Sequence, residues 1–339
     1  MPSLDPTARP HAHVTTAQER QVPRVARFVW LGPRFNALGY LSVRSALDRG
    51  GLDEVVLHVD RPELEQDPLV ANLMPRKGFR LSGLDDGGGA GLGEPTIRAL
   101  NELDKLLDRP ASRSNLWRLR ILWHLGGLYL DTDAIVLRNL RELCVDPGFA
   151  GVERICLPAS LDGNRSPVAW GRAGLLLAAR EAISRLPNAG AAFRQVEDLY
   201  DLACNNAVIG AHPRHPDIGR LLHASAVMRR DKALRRYQLG PRLLEETLGN
   251  RSTPRFVLHD PWAFYPLGPE ICWDYLRDDP KNRLGDLPDP RAYVAHLYDS
   301  VLARRLKVPL DAQYLRRSRG RTMFARMVEP WLDDLLAAQ

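Results

Sequence analysis

Cysteine is scarce in this chain: four in 339 residues, at positions 144, 156, 204 and 272, and no two of them form a CxxC pair. That spacing argues against a zinc ribbon or a disulfide framework and suits a reduced compartment. Long apolar runs are missing as well, since no stretch approaches the roughly 20 residues that a membrane-spanning helix needs. The opening residues, MPSLDPTARPHAHVTTAQERQ, contain no apolar core and no cleavage pattern. Residues 1–21 are therefore expected to form a disordered tail rather than a signal peptide, and the protein to be cytoplasmic. Acidic residues fall short of basic ones, 41 against 47, for a net charge of +6. So modest an excess suits anionic ligands, an acidic membrane surface, or no particular partner. A nucleotide-cradling glycine loop is also lacking. The run DDGGGAGLGEP (85–95) fits neither G-x-G-x-x-G nor the Walker spacing, and reads as a flexible surface loop.

What is present is an ordinary globular composition, 45% hydrophobic and 26% charged, and one dense stretch from Ser112 to Leu140, SRSNLWRLRILWHLGGLYLDTDAIVLRNL. Leu116, Leu119, Leu122 and Trp123 recur at helical spacing, and Asn115 and Arg118 share another face of the same helix. Gly126 and Gly127 stop it. Leu128 to Asp133 then alternates, sending Leu128 and Leu130 one way and Tyr129, Asp131 and Asp133 the other. A strand thus delivers two carboxylates at its end. Left unpaired they repel and cost desolvation; a divalent cation, a basic partner or solvent relieves them, and a hard, oxygen-rich site suits Mn²⁺ or Mg²⁺.

Helix, Gly-Gly, aliphatic-Tyr-aliphatic and Asp-x-Asp together resemble the signature of the DXD-containing sugar transferases of the glycosyltransferase sugar-binding region family. That family includes α-1,4-galactosyl- and α-1,4-N-acetylglucosaminyltransferases, yeast mannosyltransferases and, more distantly, the clostridial glucosylating toxins. Asn115 departs from it, standing where the family has an Asp that holds donor sugar or ribose; Asn can accept such a bond but carries no charge. The opening strand VPRVARFVWLG is similar to the family's first strand. Trp30 matches the tryptophan that stacks on the base, and Arg27 replaces a common His.

Elsewhere the pattern is βαβ. Strands are expected at Asp53–Asp60 and Phe79–Leu84, with helices over Asn36–Arg49, Thr96–Asp108 and Ala173–Ser184, and Pro110 is expected to break the chain. Asp60 ends its strand, facing either nucleotide or solvent. Asn205 and Asn206 are expected ahead of an apolar strand, where an amide could bind sugar hydroxyls or serve a cap or turn; Asp201 is open to the same two readings. His212 and His215 have H-x-x-H spacing, but the prolines beside them argue against a metal site. Gly240-Pro241 resembles the family element that opens a helix near the site. Arg251–Tyr265 is expected as strand, and Ala292–Ser300 resembles the closing segment, in which His296 is either structural or a ligand of metal or phosphate. From Ala303 to Met327 eight basic residues face one acid, Asp311. That suits a solvated basic helix or contact with an anionic membrane at the inner membrane face, and its few aromatics argue against nucleic acid.

The resemblance implies a GT-A-type α/β fold over residues 22–300, with a mixed, mainly parallel sheet and a basic helical C-terminal extension over 301–339. It implies a retaining transferase moving a hexose from a nucleotide diphosphate sugar, a UDP-sugar above all, to a saccharide, lipid-linked or other hydroxyl acceptor. In that reading Asp133, Asp131 and His296 hold Mn²⁺ or Mg²⁺, Arg118 meets the donor phosphate or sugar, Trp30 holds the base, and Asn115, Tyr129 and Asn206 complete the donor site. Asn115 and Arg27 leave a non-catalytic nucleotide-sugar binder as the alternative, and the basic tail leaves a membrane-associated scaffold.

Overall fold

In the computed structural model, which describes residues 21–85, 87–161, 163–186, 189–249, 252–306 and 309–338, the chain opens with β1 (Val25–Trp30), α1 (Ala37–Arg49) and β2 (Glu54–Val59). The expected N-terminal tail, residue 21 apart, lies outside the described residues. Both strands are nearly all apolar and buried, as parallel strands covered on two faces must be. They pair in parallel from Val25 opposite Glu54 to Trp30 opposite Val59. Between them α1 is started by Asn36, whose Oδ1 accepts from the Gly39 amide at 2.7 Å.

Next come α2 (Pro68–Leu73), β3 (Phe79–Gly83), α3 (Glu94–Leu106) and α4 (Pro110–Leu125). The expected break falls at residues 107–109, between α3 and α4, and Pro110 itself opens α4, where its missing N–H is one of those a helix start leaves unpaired anyway. The glycine-rich run is not a free loop. Its residues 87–89, all glycines at positive φ, turn tightly close under His124, and Trp123 Nε1 donates to the Ala90 carbonyl at 3.1 Å. Gly126, at φ 61, ends α4. At Gly127 an added Cβ would lie 2.6 Å from the Val25 carbonyl, so the second glycine lets β4 (Gly127–Leu130) slide in beside β1.

The rest of the chain is β5 (Ala134–Val136), β6 (Gly148–Ile155), α5 (Pro167–Ile183), α6 (Ala189–Arg194), β7 (Asp201–Ala211), α7 (Pro216–Ala226), α8 (Arg230–Ala233), α9 (Pro241–Leu248), β8 (Val257–His259), α10 (Pro261–Phe264), β9 (Val294–His296), α11 (Asp299–Leu306), α12 (Ala312–Ser318) and α13 (Met323–Ala337). The expected strand at 251–265 shrinks to the three residues of β8, because Pro261 starts a helical turn. Asn205 and Asn206 lie inside β7, not ahead of it.

Seven strands form one sheet in the order β3-β2-β1-β4-β7-β6-β8, and β5 pairs with β9 in a second. In the large sheet β7 runs antiparallel to β4 and β6, and the other pairings are parallel. This is the mixed, mainly parallel α/β architecture expected of a GT-A-type fold. The sheet divides two cores: α1 and α13 cover one face, with Tyr40 and Trp331 deep inside, and α4, α7 and α9 cover the other. The C-terminal helix is bound into the first core. Arg44 pairs with Asp334 at 2.8 Å, and Trp331 Nε1 donates to Asp48 at 2.6 Å. Among the described residues, no helix is long and apolar enough to cross a membrane.

Candidate active site

The parallel strands β1, β2 and β4 all finish at one edge of the sheet, the edge at which ligands collect in open α/β folds. There a cleft of about 800 Å³ opens, lined by Trp30, Asn115, Arg118, Asp131, Asp133 and His296, among others. Trp30 ends β1 with its ring edge-on to Phe35 at 5.0 Å, and its Nε1 donates to the Arg34 carbonyl at 3.0 Å. The indole is thereby fixed with area left for the cleft.

Asp131, Thr132 and Asp133 form the turn between β4 and β5. The Asp131 amide donates to the Ala207 carbonyl at 2.8 Å, which anchors the turn to β7. Arg118 projects from α4 toward it: its Nη2 lies 3.0 Å from Asp131 Oδ1, and its Nη1 donates to the Asn206 carbonyl. The guanidinium stacks 4.3 Å above the Tyr129 ring. Tyr129 itself is buried; its hydroxyl donates to Asp131 at 2.7 Å and lies 3.2 Å from Ser114 Oγ. Tyr129 therefore underlies Arg118 and Asp131 and does not line the cleft. Asn206 Nδ2 donates to Asn115 Oδ1 at 2.8 Å, so the two amides face each other across α4 and β7. Gly240 closes over them, where a Cβ would come within 2.9 Å of Asn206.

Asp133 turns the other way. Its Oδ1 lies 3.1 Å from His296 Nε2 on β9, and its Oδ2 accepts from the Asp299 amide at 2.9 Å. Ligand atoms of Asp131, Asp133 and His296 all fall within 4.8 Å of one another. His296 Nδ1 is buried with no hydrogen-bond partner among the described residues. Two carboxylates and one imidazole form a donor set that Mn²⁺ or Mg²⁺ accepts, so these residues fit such an ion. Burial pushes the Asp131 carboxyl up, with repulsion from Asp133 outweighing part of what Arg118 restores. Burial acts on Asp133 too, yet His296 and the Asp299 amide hold it below the usual range. His296 stays above its ordinary value, because Asp133 outweighs the desolvation that would lower it.

Several residues of the cleft escaped sequence reasoning. Glu153, on β6, is buried and accepts from the Tyr298 hydroxyl at 2.7 Å, and burial raises its pKa. Glu270, with a fully buried side chain, pairs with Arg180 at 3.3 Å, and burial pushes it up to about 7. Both arrive through pairing distant in sequence, and no local pattern marks them. Tyr298 stands where the resembled family commonly has Trp.

The remaining expected residues have structural partners. Arg27 caps α4, reaching the Gly126 and Leu125 carbonyls beside the buried His58. Burial lowers His58 to about 4. Asp60 accepts from the Gly32 amide at 3.2 Å and faces Arg113 at 3.6 Å. Asp201 pairs with Arg172 at 2.7 Å at the start of β7. Both His215 nitrogens are engaged, Nδ1 by the Asp217 amide and Nε2 by the Arg255 carbonyl.

Residues 92–149 match the family model described as glycosyltransferase sugar-binding region containing DXD motif. The match spans α4, β4 and the Asp131–Asp133 turn. No curated protein matches the chain. Among solved structures the chain is similar to the PaToxG glycosyltransferase, with TM-score 0.42 and 14% identity over 68% of this chain and 73% of that one. It is similar to the UDP-bound glycosyltransferase domain from the YGT toxin, with TM-score 0.32 and 9% identity over 60% and 61%. The WbbM bifunctional glycosyltransferase gives TM-score 0.38 and 10% identity over 94% of this chain but 52% of its own length.

Proposed function

We propose that the chain is a DXD-containing glycosyltransferase that moves a hexose from a UDP-sugar to an acceptor hydroxyl with retention of anomeric configuration. One observation carries the metal-dependent form of this reading. Asp131, Asp133 and His296, brought by a turn and a separate strand, converge within 4.8 Å in a cleft of about 800 Å³. Retention and the uracil base rest on the family resemblance.

Asp131, Asp133 and His296 would hold Mn²⁺ or Mg²⁺, whose charge would stabilise the departing diphosphate. The other roles belong to the chain's own groups. Arg118, fixed from below by Tyr129 and from the side by Asn206, meets negative charge on the donor with a guanidinium already in place. Trp30 offers a ring face to the base, and Asn115 with Asn206 offers amide groups to sugar hydroxyls. The four cysteines are buried and form no disulfide among the described residues, which suits a reducing cytoplasm. Arg27 no longer argues for a binder without turnover, since its contacts are those of a helix cap.

A thermal-shift panel of UDP-, GDP- and dTDP-sugars, with and without Mn²⁺, tests the reading on wild type and Asp133→Ala. A donor at a hundred times its Kd stabilises the fold by about 2.7 kcal/mol. The expected result is a shift with a UDP-sugar that needs both Mn²⁺ and Asp133. No shift with any donor sinks the reading.

A further inference from the structure

Tyr298 is not a glycine, yet its backbone is left-handed, at φ 54. A residue with a side chain stays in that region only where its surroundings hold it there. Here they are two rings and a carboxylate. The Tyr298 ring stands edge-on to His296 with centroids 4.2 Å apart, and lies 6.5 Å from Tyr265. Its hydroxyl donates to Glu153 Oε2 at 2.7 Å. Both partners of that bond are buried, so water does not compete for it.

This turn carries one side of the metal cluster. Strand β9 pairs with β5 in the small sheet, and the residues around Tyr298 reach back to Asp133 in turn. His296 Nε2 lies 3.1 Å from Asp133 Oδ1, the Leu297 amide donates to the Asp133 carbonyl at 2.9 Å, and the Asp299 amide donates to Asp133 Oδ2 at 2.9 Å. Glu153 lies on β6 of the large sheet, with Asn205 of β7 beside it. The same large sheet delivers Asp131 at the end of β4. Asp131 thus hangs from one sheet, while Asp133 and His296 flank the strands of the other. How far apart the three ligand groups stand depends on what ties the two sheets together.

We propose that Glu153 is a positioning residue for the metal cluster. By holding the Tyr298 hydroxyl it fixes the left-handed turn that sets His296 and the Asp299 amide against Asp133, and with it the spacing from that pair to Asp131. Glu153 touches neither ion nor sugar in this role. The role does not require a charge either, since a phenol hydroxyl both gives and takes a hydrogen bond and an amide can meet it in either orientation. This inference rests on the metal-dependent reading above and deepens it.

The test is Mn²⁺ binding to the full chain without donor, followed by the electron paramagnetic resonance signal of the free ion. Wild type is compared with Glu153→Ala, Glu153→Gln, Tyr298→Phe, the Glu153→Ala/Tyr298→Phe pair and Asp133→Ala. Tyr298→Phe keeps the ring against His296 and loses the tie. It and Glu153→Ala are each expected to weaken Mn²⁺ binding by about tenfold or more, as the loss of an outer partner of a metal ligand does. The pair is expected to be no weaker than either alone, because the two groups act as one. Glu153→Gln is expected to bind like wild type. Nucleotide release from the UDP-sugar that gives the largest thermal shift is expected to recover in Tyr298→Phe once Mn²⁺ is saturating. Wild-type Mn²⁺ affinity in Tyr298→Phe overturns the inference, since a bond that only stabilises the fold moves the melting temperature alone. So does a Glu153→Gln as weak as Glu153→Ala, or turnover that stays low at saturating Mn²⁺; either gives the carboxylate a direct part in the reaction instead. Asp133→Ala keeps the two readings apart. If it alone loses Mn²⁺, the metal-dependent reading stands and the role of Glu153 falls. If wild type binds Mn²⁺ no better than Asp133→Ala, both fall.

Discussion

Asp131 and Asp133 belong to one motif, stand two residues apart and share a cleft, yet their carboxyls are driven in opposite directions. The stronger cation does not decide it. Asp131 has Arg118, a permanent charge, and still lies high, because burial and the neighbouring carboxylate outweigh that one guanidinium. Asp133 has a histidine and a backbone amide, and lies low. The turn explains the difference. It leaves β4 toward α4, where Arg118 also serves the Asn206 and Ser114 carbonyls, and it enters β5 beside β9, where the Asp299 amide and His296 each face a separate oxygen of Asp133. One carboxylate is kept charged by the fold; the other depends on a shared partner.

The largest effect is therefore expected at the aspartate kept charged. Asp133→Ala should abolish the Mn²⁺-dependent donor shift and lower turnover by about 10³-fold or more, the scale of losing a main electrostatic contact in a reaction centre. Nucleotide release from the donor is the readout, and a variant within tenfold of wild type would put the metal elsewhere. Second comes Arg118→Ala. It strips Asp131 of its cation and the Tyr129 ring of its cover, and breaking a pair this buried should cost about 3–5 kcal/mol of stability in urea unfolding. A small loss would mean that Asp131 simply takes up a proton when Arg118 is gone.

How much of this was legible follows the same division. The half built by α4, β4 and the turn lies within thirty residues of chain, so helix period, the glycine stop and strand alternation located Asn115, Arg118 and both aspartates. Their partners across the sheet are another matter. His296 was reached through resemblance, since a lone histidine in a strand carries no signal of its own. Glu153 and Glu270 had none at all, because β6 and β7 bring them in by antiparallel pairing and a buried ion pair that leave no local pattern. Arg27 looked like a departure from a site and is a cap on α4, a role that shows only once β1 and the end of α4 are side by side. Asn205 and Asn206, polar in an apolar run, looked like the edge of a strand; β7 carries them through its interior because one serves Arg118 and Asn115, and the other lies beside Glu153.

Glu270 extends the comparison to a third acid of the cleft, also beside an arginine and also raised, to about 7 from an ordinary 4.5. A carboxyl whose folded-state value is raised contributes stability in full below its ordinary value, and loses that contribution as pH rises through the folded one. Wild type should accordingly lose up to about 3 kcal/mol between pH 4.5 and pH 7 from this group alone. Glu270→Gln should flatten that part of the profile of melting temperature against pH. An identical slope in both proteins would mean that Arg180 holds Glu270 charged and that burial does not dominate here.

The smallest change sharpens the comparison most. Tyr129→Phe keeps the ring beneath Arg118 and removes the hydroxyl that donates to Asp131 at 2.7 Å, so it weakens the support of one aspartate and leaves the other untouched. A hydrogen bond to a charged group is worth about 1.5–3 kcal/mol at most, and Ser114, 3.2 Å from that hydroxyl, or water can fill part of the gap, so the net loss should be about 1 kcal/mol. If Asp131 depends on shared support, Tyr129→Phe weakens Mn²⁺-dependent donor binding by several-fold and shifts its pH dependence upward, since an Asp131 with one donor fewer gives up its proton later. If it affects stability alone and leaves the pH profile of donor binding in place, then Arg118 suffices to charge Asp131, and the asymmetry between the two aspartates disappears once the ligand is bound.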